Sequence, residues 1–382
     1  MITEEDARNL LMDVISINSM NPSMTEEGVG ENQLAEYLGT YFQKLGLEVS
    51  YQQTEGRKNI IAVLQGAGNG KSLILNAHTD TVGREGMENP FTPEIKEGRI
   101  YGRGAYDMKG GLVSILLAIK ELVTSGKRLT GDLIFAGVVD EEYASIGTEA
   151  LVADYSADAA ILCEPTDMRV VIANKGFSWI KMTVFGKASH GSKPHLGIDA
   201  IDQARKVMNA FHQMQQEFNK NKHQYVGTPA IRISKIEGGL GLSTVADQCT
   251  LYIERRTLPH MKQQDVQKEL EDVIQQLKSE DSDFDAEFEF IIFRGGLELS
   301  EDELIVKVLK SNHQEITKSV PEISGEPWWM DSALMGEHGI PTVVIGPTGD
   351  GAHAKIEYVE INSVVTLANI LEKTVIEFCG SS

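Results

Sequence analysis

The chain has 382 residues, 41% of them hydrophobic and 24% charged, which is ordinary for a globular protein and long enough for two domains with a core each. A net charge of -21 argues against nucleic acid or an anionic membrane as partner, while a few local cations in a cleft would still admit a small anionic substrate. No apolar run reaches the ~18 residues of a membrane span. The acidic start Met1-Ile2-Thr3-Glu4-Glu5-Asp6 lacks the basic-then-apolar order of a signal peptide. Cys163, Cys249 and Cys379 form neither a CxxC pair nor a disulfide framework, so a cytoplasmic protein is expected.

Residues 1 to about 176 alternate helical and strand patterns. Leu34 to Leu45 is apolar at helical spacing, and Asn59 to Gln65 reads as a strand. The apolar run Ser72 to Ala77 ends in His78-Thr79-Asp80. A Gly-rich loop, Gly102 to Gly111, then places Asp107 just before a helix predicted over Gly111 to Val123, with Ser125-Gly126 as its stop. The run Leu133 to Val139 ends in Asp140-Glu141-Glu142, and the run Ala159 to Cys163 ends in Glu164-Pro165.

Near Gly176 the texture changes. A strand (Trp179 to Phe185), a helix (Gly197 to Phe218), two strands (Ala230 to Ile236 and Gln248 to Arg255), a helix (Lys262 to Lys278) and a strand (Ala286 to Phe293) follow in turn. That β-α-β-β-α-β order is ferredoxin-like. After Gly295 the first pattern returns, and the strand Thr342 to Ile345 leads through a Gly-rich loop to His353. The expected fold is α/β. Residues 1–176 and 294–382 would form a catalytic, metal-binding domain with a mixed, mostly parallel sheet covered by helices on both faces. Residues 177–293 would form an inserted α+β domain.

Each chemical feature has a plainer explanation when taken alone. His78 with Asp80 could be a core histidine hydrogen-bonded to an acid, Asp107 an N-cap, Glu141-Glu142 a surface turn, and His353 an exposed loop residue. Their delivery to one sheet edge is the stronger signal, because open α/β sheets place ligands and catalysts at the carboxyl ends of their strands. His78 and Asp80 point to one face of a strand, and a metal-bound imidazole commonly gives its other N–H to a carboxylate. Adjacent Glu141 and Glu142 diverge, so one can bind metal while the other takes a proton from the attacking water. Glu164 ends so apolar a strand that an unpaired charge there would be very costly. Two His and three or four carboxylates suit two Zn²⁺, or Co²⁺ or Mn²⁺.

The motifs His78-Thr79-Asp80, Gly104-Ala105-Tyr106-Asp107-Met108-Lys109-Gly110, Asp140-Glu141-Glu142, Glu164-Pro165-Thr166 and Gly351-Ala352-His353 carry a family resemblance. Over nearly its whole length the chain resembles the dinuclear zinc amidohydrolases and exopeptidases that include acetylornithine deacetylase, succinyl-diaminopimelate desuccinylase, aminoacylase-1 and glutamate carboxypeptidase. The resemblance implies that His78 and Glu164 bind one metal, Glu142 and His353 the other, and Asp107 bridges them. Glu141 would be the general base and later protonate the leaving amine. A cis peptide bond at Asp107-Met108 is implied as well.

The inserted domain would be a lid and the contact of a homodimer. Ser189-His190-Gly191-Ser192-Lys193-Pro194 is similar to the family's lid motif, so His190 would stabilise the oxyanion. Arg256, in Glu254-Arg255-Arg256-Thr257-Leu258-Pro259, would hold the substrate carboxylate in its fork, and Arg255 would pair with surface acids. The chain departs from the family at Ser243, where relatives often carry Asn. It also departs at Trp328-Trp329, where they carry smaller residues; these two either line the pocket or pack as core.

The implied activity is hydrolysis of the amide of an N-acyl amino acid by a hydroxide shared between two metals. Glu164-Pro165-Thr166 is most similar to the deacetylase and desuccinylase branch. A dipeptidase or carboxypeptidase acting on a short peptide is the alternative, since only the pocket would differ. A catalytically silent metal-dependent binding protein is the third reading, and an intact Glu141 with a full ligand set argues against it.

Overall fold

The computed structural model describes residues 2–381. Met1, part of the acidic N-terminus read above, and Ser382, the end of the expected catalytic domain, lie outside the described residues. In chain order the elements begin with α1 (Glu4–Ser16), α2 (Asn32–Lys44), β1 (Glu48–Thr54), β2 (Arg57–Leu64), β3 (Leu73–His78), β4 (Glu94–Lys96), β5 (Arg99–Tyr101), α3 (Gly110–Thr124), β6 (Leu133–Val138), α4 (Ile146–Asp154), β7 (Ala159–Leu162) and β8 (Val170–Asn174). Then come β9 (Gly176–Phe185), α5 (Ala200–Phe218), β10 (Ala230–Gly238), β11 (Gln248–Thr257), α6 (Gln263–Glu280), β12 (Asp285–Arg294) and β13 (Leu297–Glu298). The chain closes with α7 (Leu304–Thr317), β14 (Ile323–Glu326), α8 (Ser332–Glu337), β15 (Thr342–Val344), β16 (Gly349–Asp350), β17 (Tyr358–Glu360) and α9 (Ile361–Cys379).

Two compact units result. One holds the chain up to Ile172, Leu299–Ser324 and the chain from Met330 on; the other holds Ala173–Glu298 and Gly325–Trp329. These limits differ from the 176/177 and 293/294 boundaries read from sequence. The short segment Gly325–Trp329 belongs to the second unit because of its packing. The Trp329 indole N–H donates to the Gly295 carbonyl at 2.9 Å, and its ring meets Phe177 edge-on. No helix among the described residues is long and apolar enough to cross a membrane.

In the first unit the sheet runs β1-β2-β6-β3-β7-β15-β8, and β8 also pairs with β14. Parallel pairing joins β6, β3, β7 and β15, with antiparallel neighbours on either side. The strands β3, β6 and β7 are buried along their whole length, as parallel strands covered on both faces must be. Their register sets His78 opposite Val138, with Asn76 and Val344 both opposite Leu162. The carboxyl ends of the parallel strands therefore open at one edge.

Helix α3 is apolar on nearly every side and correspondingly buried, packed between β3, α1 and α9. It starts at a backbone contact: a Cβ on Gly111 would lie 1.9 Å from the Cys163 carbonyl oxygen. Only glycine lets the loop ahead of α3 come so close to the end of β7. A second, antiparallel sheet, β16-β17-β5-β4, sets Tyr101 opposite Tyr358. Strands of two or three residues carry no periodicity, so nothing in the sequence pattern marks this sheet.

The second unit is a four-stranded antiparallel sheet, β10-β11-β9-β12, with α5 and α6 against it. Alternate residues of β9 and β11, among them Ile180, Met182, Val184, Leu251 and Ile253, meet Val207 and Phe211 of α5 and Val266, Leu270 and Ile274 of α6. Each such fully buried side chain contributes about 1.5–3 kcal/mol. Asp199 caps α5 by accepting the Ile201 N–H at 2.9 Å.

Candidate metal centre

His78, the last residue of β3, is buried, and its ring is wedged among acids. Nε2 lies 3.1 Å from Asp107 Oδ1 and 3.6 Å from Glu164 Oε1. Nδ1 lies 3.0 Å from the Asp80 backbone carbonyl and 3.5 Å from the Asp80 carboxylate. The shorter partner is thus the main chain, and the Asp80 carboxylate has further work. It accepts the backbone N–H groups of both Glu141 and Glu142 at 3.2 Å and the Asn21 amide at 2.8 Å. Asp80 therefore holds the two adjacent glutamates by their main chain.

Asp107 sits ahead of α3, and the Asp107-Met108 peptide bond is cis. His353 reaches it from the loop between β16 and β17, at 3.4 Å from Asp107 Oδ2 and 3.0 Å from Glu142 Oε2. Ligand atoms of His78, Asp107 and Glu142 fall within 4.8 Å of one another, as do those of His78, Glu141 and Glu164. All seven residues expected at this edge, with Asp80 included, are brought together.

Such crowding shifts the proton equilibria. Burial, with repulsion from Glu164 and Asp331, lifts the Glu141 carboxyl well above its ordinary range. Burial also lifts Glu164, against the pull of His78. Burial and the Asp107 charge push Glu142 up to about 7. Burial would raise Asp107 too, but hydrogen bonds with His353 and His78 outweigh it and hold its carboxyl low. Asp107 and Glu142 hold the His353 imidazolium, pushing that ring up to about 10.

Several supporting residues gave no local signal in the sequence. Arg57 is buried between Glu31 and Asp140, donating to Asp140 at 2.6 Å and to both oxygens of Glu31. Asn21 bridges Asp140 and Asp80, at 2.9 and 2.8 Å. Glu357, also buried, accepts from Arg103 and from the backbone of the Asp107 loop. Asp331, buried, accepts the Thr148 hydroxyl.

His190 and Arg256 belong to the second unit. The Ser192 N–H donates to His190 Nδ1 at 3.2 Å, and the Ser192 hydroxyl lies 2.8 Å from the same atom. An Nδ1 that accepts a main-chain N–H leaves the proton of a neutral ring on Nε2, where it is a donor. The segment containing Ser243 backs this loop: its carbonyl accepts the Gly191 N–H at 2.7 Å. The Arg256 fork engages Glu254 at 2.6 and 2.9 Å, and its guanidinium lies 5.3 Å from the Phe177 ring centre. Arg255 is buried, unlike the surface pairing expected. It grips Glu269 at 2.8 and 2.9 Å and stacks on Phe218. Trp329 is packed as described, whereas Trp328 is exposed.

The residues fit divalent cations. Glu164 Oε1 is buried without a hydrogen-bond partner, and its neighbours are a histidine nitrogen and other carboxylates. A borderline nitrogen-and-oxygen donor set with an orphaned anionic oxygen is the setting a metal ion satisfies. Carboxyl groups so crowded and so poorly solvated at the mouth of a parallel sheet belong to a metal-dependent hydrolase. The chain belongs to peptidase family M20/M25/M40, whose model matches residues 74–377. It is 30% identical to N-formyl-4-amino-5-aminomethyl-2-methylpyrimidine deformylase of Halalkalibacterium halodurans, over 90% of this chain and 88% of that protein. It is 26% identical to acetylornithine deacetylase of Vibrio campbellii, over 97% of each. Among solved structures, the aminopeptidase PepT of Bacillus cereus superposes with a TM-score of 0.82 at 21% identity, covering 99% of this chain and 100% of that one.

Proposed function

We propose that this hydrolase cleaves the amide bond of an N-acyl amino acid or a closely related N-acyl amine, releasing a carboxylate and a free amine. The observation that carries the reading is the placement of Glu141. Its carboxyl shares a 4.8 Å cluster with His78 and Glu164, while its main chain is held by Asp80. Divalent ions, zinc by the chemistry of the donors, would be held by His78, Glu164, Asp107, Glu142 and His353. Once bound, they supply Lewis acidity to the carbonyl and acidify water.

Glu141 takes the proton of the attacking water and returns it to the leaving amine, a task that needs a carboxylate within hydrogen-bond reach of that water. His190 donates from Nε2 to the developing oxyanion. Arg256 exchanges Glu254 for the carboxylate of the substrate. The second unit acts as the lid and as the contact of a homodimer. The deformylase and deacetylase names of two relatives support a small acyl group. Three free, buried cysteines support a cytoplasmic setting.

The peptidase name of the family favours a second reading, a dipeptidase or carboxypeptidase. Amine release from N-formyl, N-acetyl and N-succinyl amino acids, run beside dipeptides, separates the two. A kcat/KM at least tenfold higher on acyl amino acids is expected; the reverse order would establish the peptidase.

A further inference from the structure

The small antiparallel sheet does more than close the edge of the first unit. Its central pairing, β5 with β17, ends at Gly102, whose N–H donates to the Glu357 carbonyl at 3.2 Å. Immediately beyond, the side chains of Arg103 and Glu357 meet at 2.7 Å, both buried. Glu357 is saturated. One oxygen accepts the N–H groups of Tyr106 and Asp107 at 2.9 and 3.0 Å; the other accepts the Gly104 N–H at 2.9 Å and the Arg103 guanidinium. Three more Arg103 donors go to main-chain carbonyls: Gly83 at 2.9 Å, Arg84 at 3.0 Å and Ala354 at 2.9 Å.

One buried pair thus binds three segments that are far apart in sequence. These are the loop after β3, the loop that carries Asp107, and the loop that carries His353. Among the described residues, the hydrogen bonds of these two side chains do not reach the carboxylate of Asp107 or the ring of His353. The contacts are to the backbone on either side, the Asp107 N–H and the Ala354 carbonyl. A planar five-donor fork is what such a junction needs, because a lysine would supply a charge with no fixed directions.

We propose that Arg103 and Glu357 are positioning residues that set His353 against Asp107, and so determine how tightly the ion held by Asp107, Glu142 and His353 is bound. The inference rests on the metal-dependent reading of the site. His78 and Glu164 are delivered by strands β3 and β7, so an ion held by them would depend on this junction only through Asp107, whose carboxylate lies 3.1 Å from His78 Nε2. Loosening the junction should weaken the ion at His353 far more than the other.

The test uses the full chain freed of metal by chelator and titrated with Co²⁺, followed by calorimetry and by visible absorbance. Wild type should take up two ions per chain. Glu357→Gln places an amide nitrogen against N–H donors, and Arg103→Lys keeps the charge but loses the fork. Each should weaken the second ion by about 10–100-fold, the usual effect of an outer-layer partner, while the first stays within about threefold of wild type. The absorbance of the second equivalent should change in step. A merely structural role would lower thermal stability and leave both affinities alone, which overturns the proposal. Should Glu357→Gln fail to fold, Arg103→Lys carries the comparison alone. A wild-type chain that binds no divalent ion overturns the metal reading itself, and this inference with it.

Discussion

Replacing Asp80 with Asn separates a held glutamate pair from a merely adjacent one. The carboxylate is buried and accepts three hydrogen bonds, from Glu141 N–H on Oδ1 and from Glu142 N–H and the Asn21 amide on Oδ2. Asparagine has one acceptor oxygen. Its better orientation keeps the two bonds at Oδ2 and turns its own N–H₂ toward the Glu141 N–H. One buried donor is then orphaned, at about 1–3 kcal/mol, and two bonds lose their charge assistance, at roughly 0.5–1 kcal/mol each. Relief of repulsion with the acids nearby offsets part of this, leaving about 1–4 kcal/mol. His78 also loses an anion at 3.5 Å from Nδ1, and a weakened outer partner of this kind costs about 10–100-fold in metal affinity. The stability loss is measured by urea unfolding in chelator, with an unchanged m value. The affinity is measured by cobalt titration. A loss under about 0.5 kcal/mol together with unaltered affinity would refute the role assigned to Asp80.

Arg57→Met leaves Glu31 and Asp140 facing each other without a cation, and should cost about 3–5 kcal/mol by the same unfolding measurement. Gly111→Ala forces a Cβ into the Cys163 carbonyl, so a loss of several kcal/mol, or a chain that does not fold, is expected in thermal melts. In chelator, stability should fall as pH rises. Glu142, raised from its ordinary 4.5 to about 7, binds more proton in the native than in the unfolded state across that window. His353, raised from 6.5 to about 10, extends the decline above pH 6.5. The Glu142 contribution is on the order of 1–3 kcal/mol, and saturating metal should flatten the trend. Denaturation series from pH 5 to 9 check this, and a chelated protein that gains stability with pH contradicts it.

The two strongest signals in the sequence were physical rather than statistical. Runs such as Leu133 to Val138 and Ala159 to Leu162 are buried on both faces, so their apolar character is continuous and the acids at their ends stand out. The β-α-β-β-α-β order of the second unit was legible because its strands alternate and its helices are long. The structure adds the residues that hold the site. Asn21, Glu31, Arg57, Arg103 and Glu357 are single polar residues in loops or at strand ends, and each acts through partners far away in sequence. No window of the chain contains both members of the Arg103–Glu357 pair. The assignment of Gly325–Trp329 to the second unit was hidden for the same reason, since chain order places those residues between elements of the first.

The central claim is that a metal-loaded cluster around His78 and Asp107, with Glu141 as proton carrier, hydrolyses amides. The most direct test follows amine release from an N-acyl amino acid by wild type and Glu141→Gln, each stripped by chelator and reloaded with Zn²⁺ or Co²⁺. The account predicts turnover in wild type that vanishes on stripping and returns on reloading. It predicts a fall of about 10²–10⁴-fold in Glu141→Gln with metal uptake intact. Turnover that survives complete removal of metal, or a Glu141→Gln enzyme as fast as wild type, would contradict it.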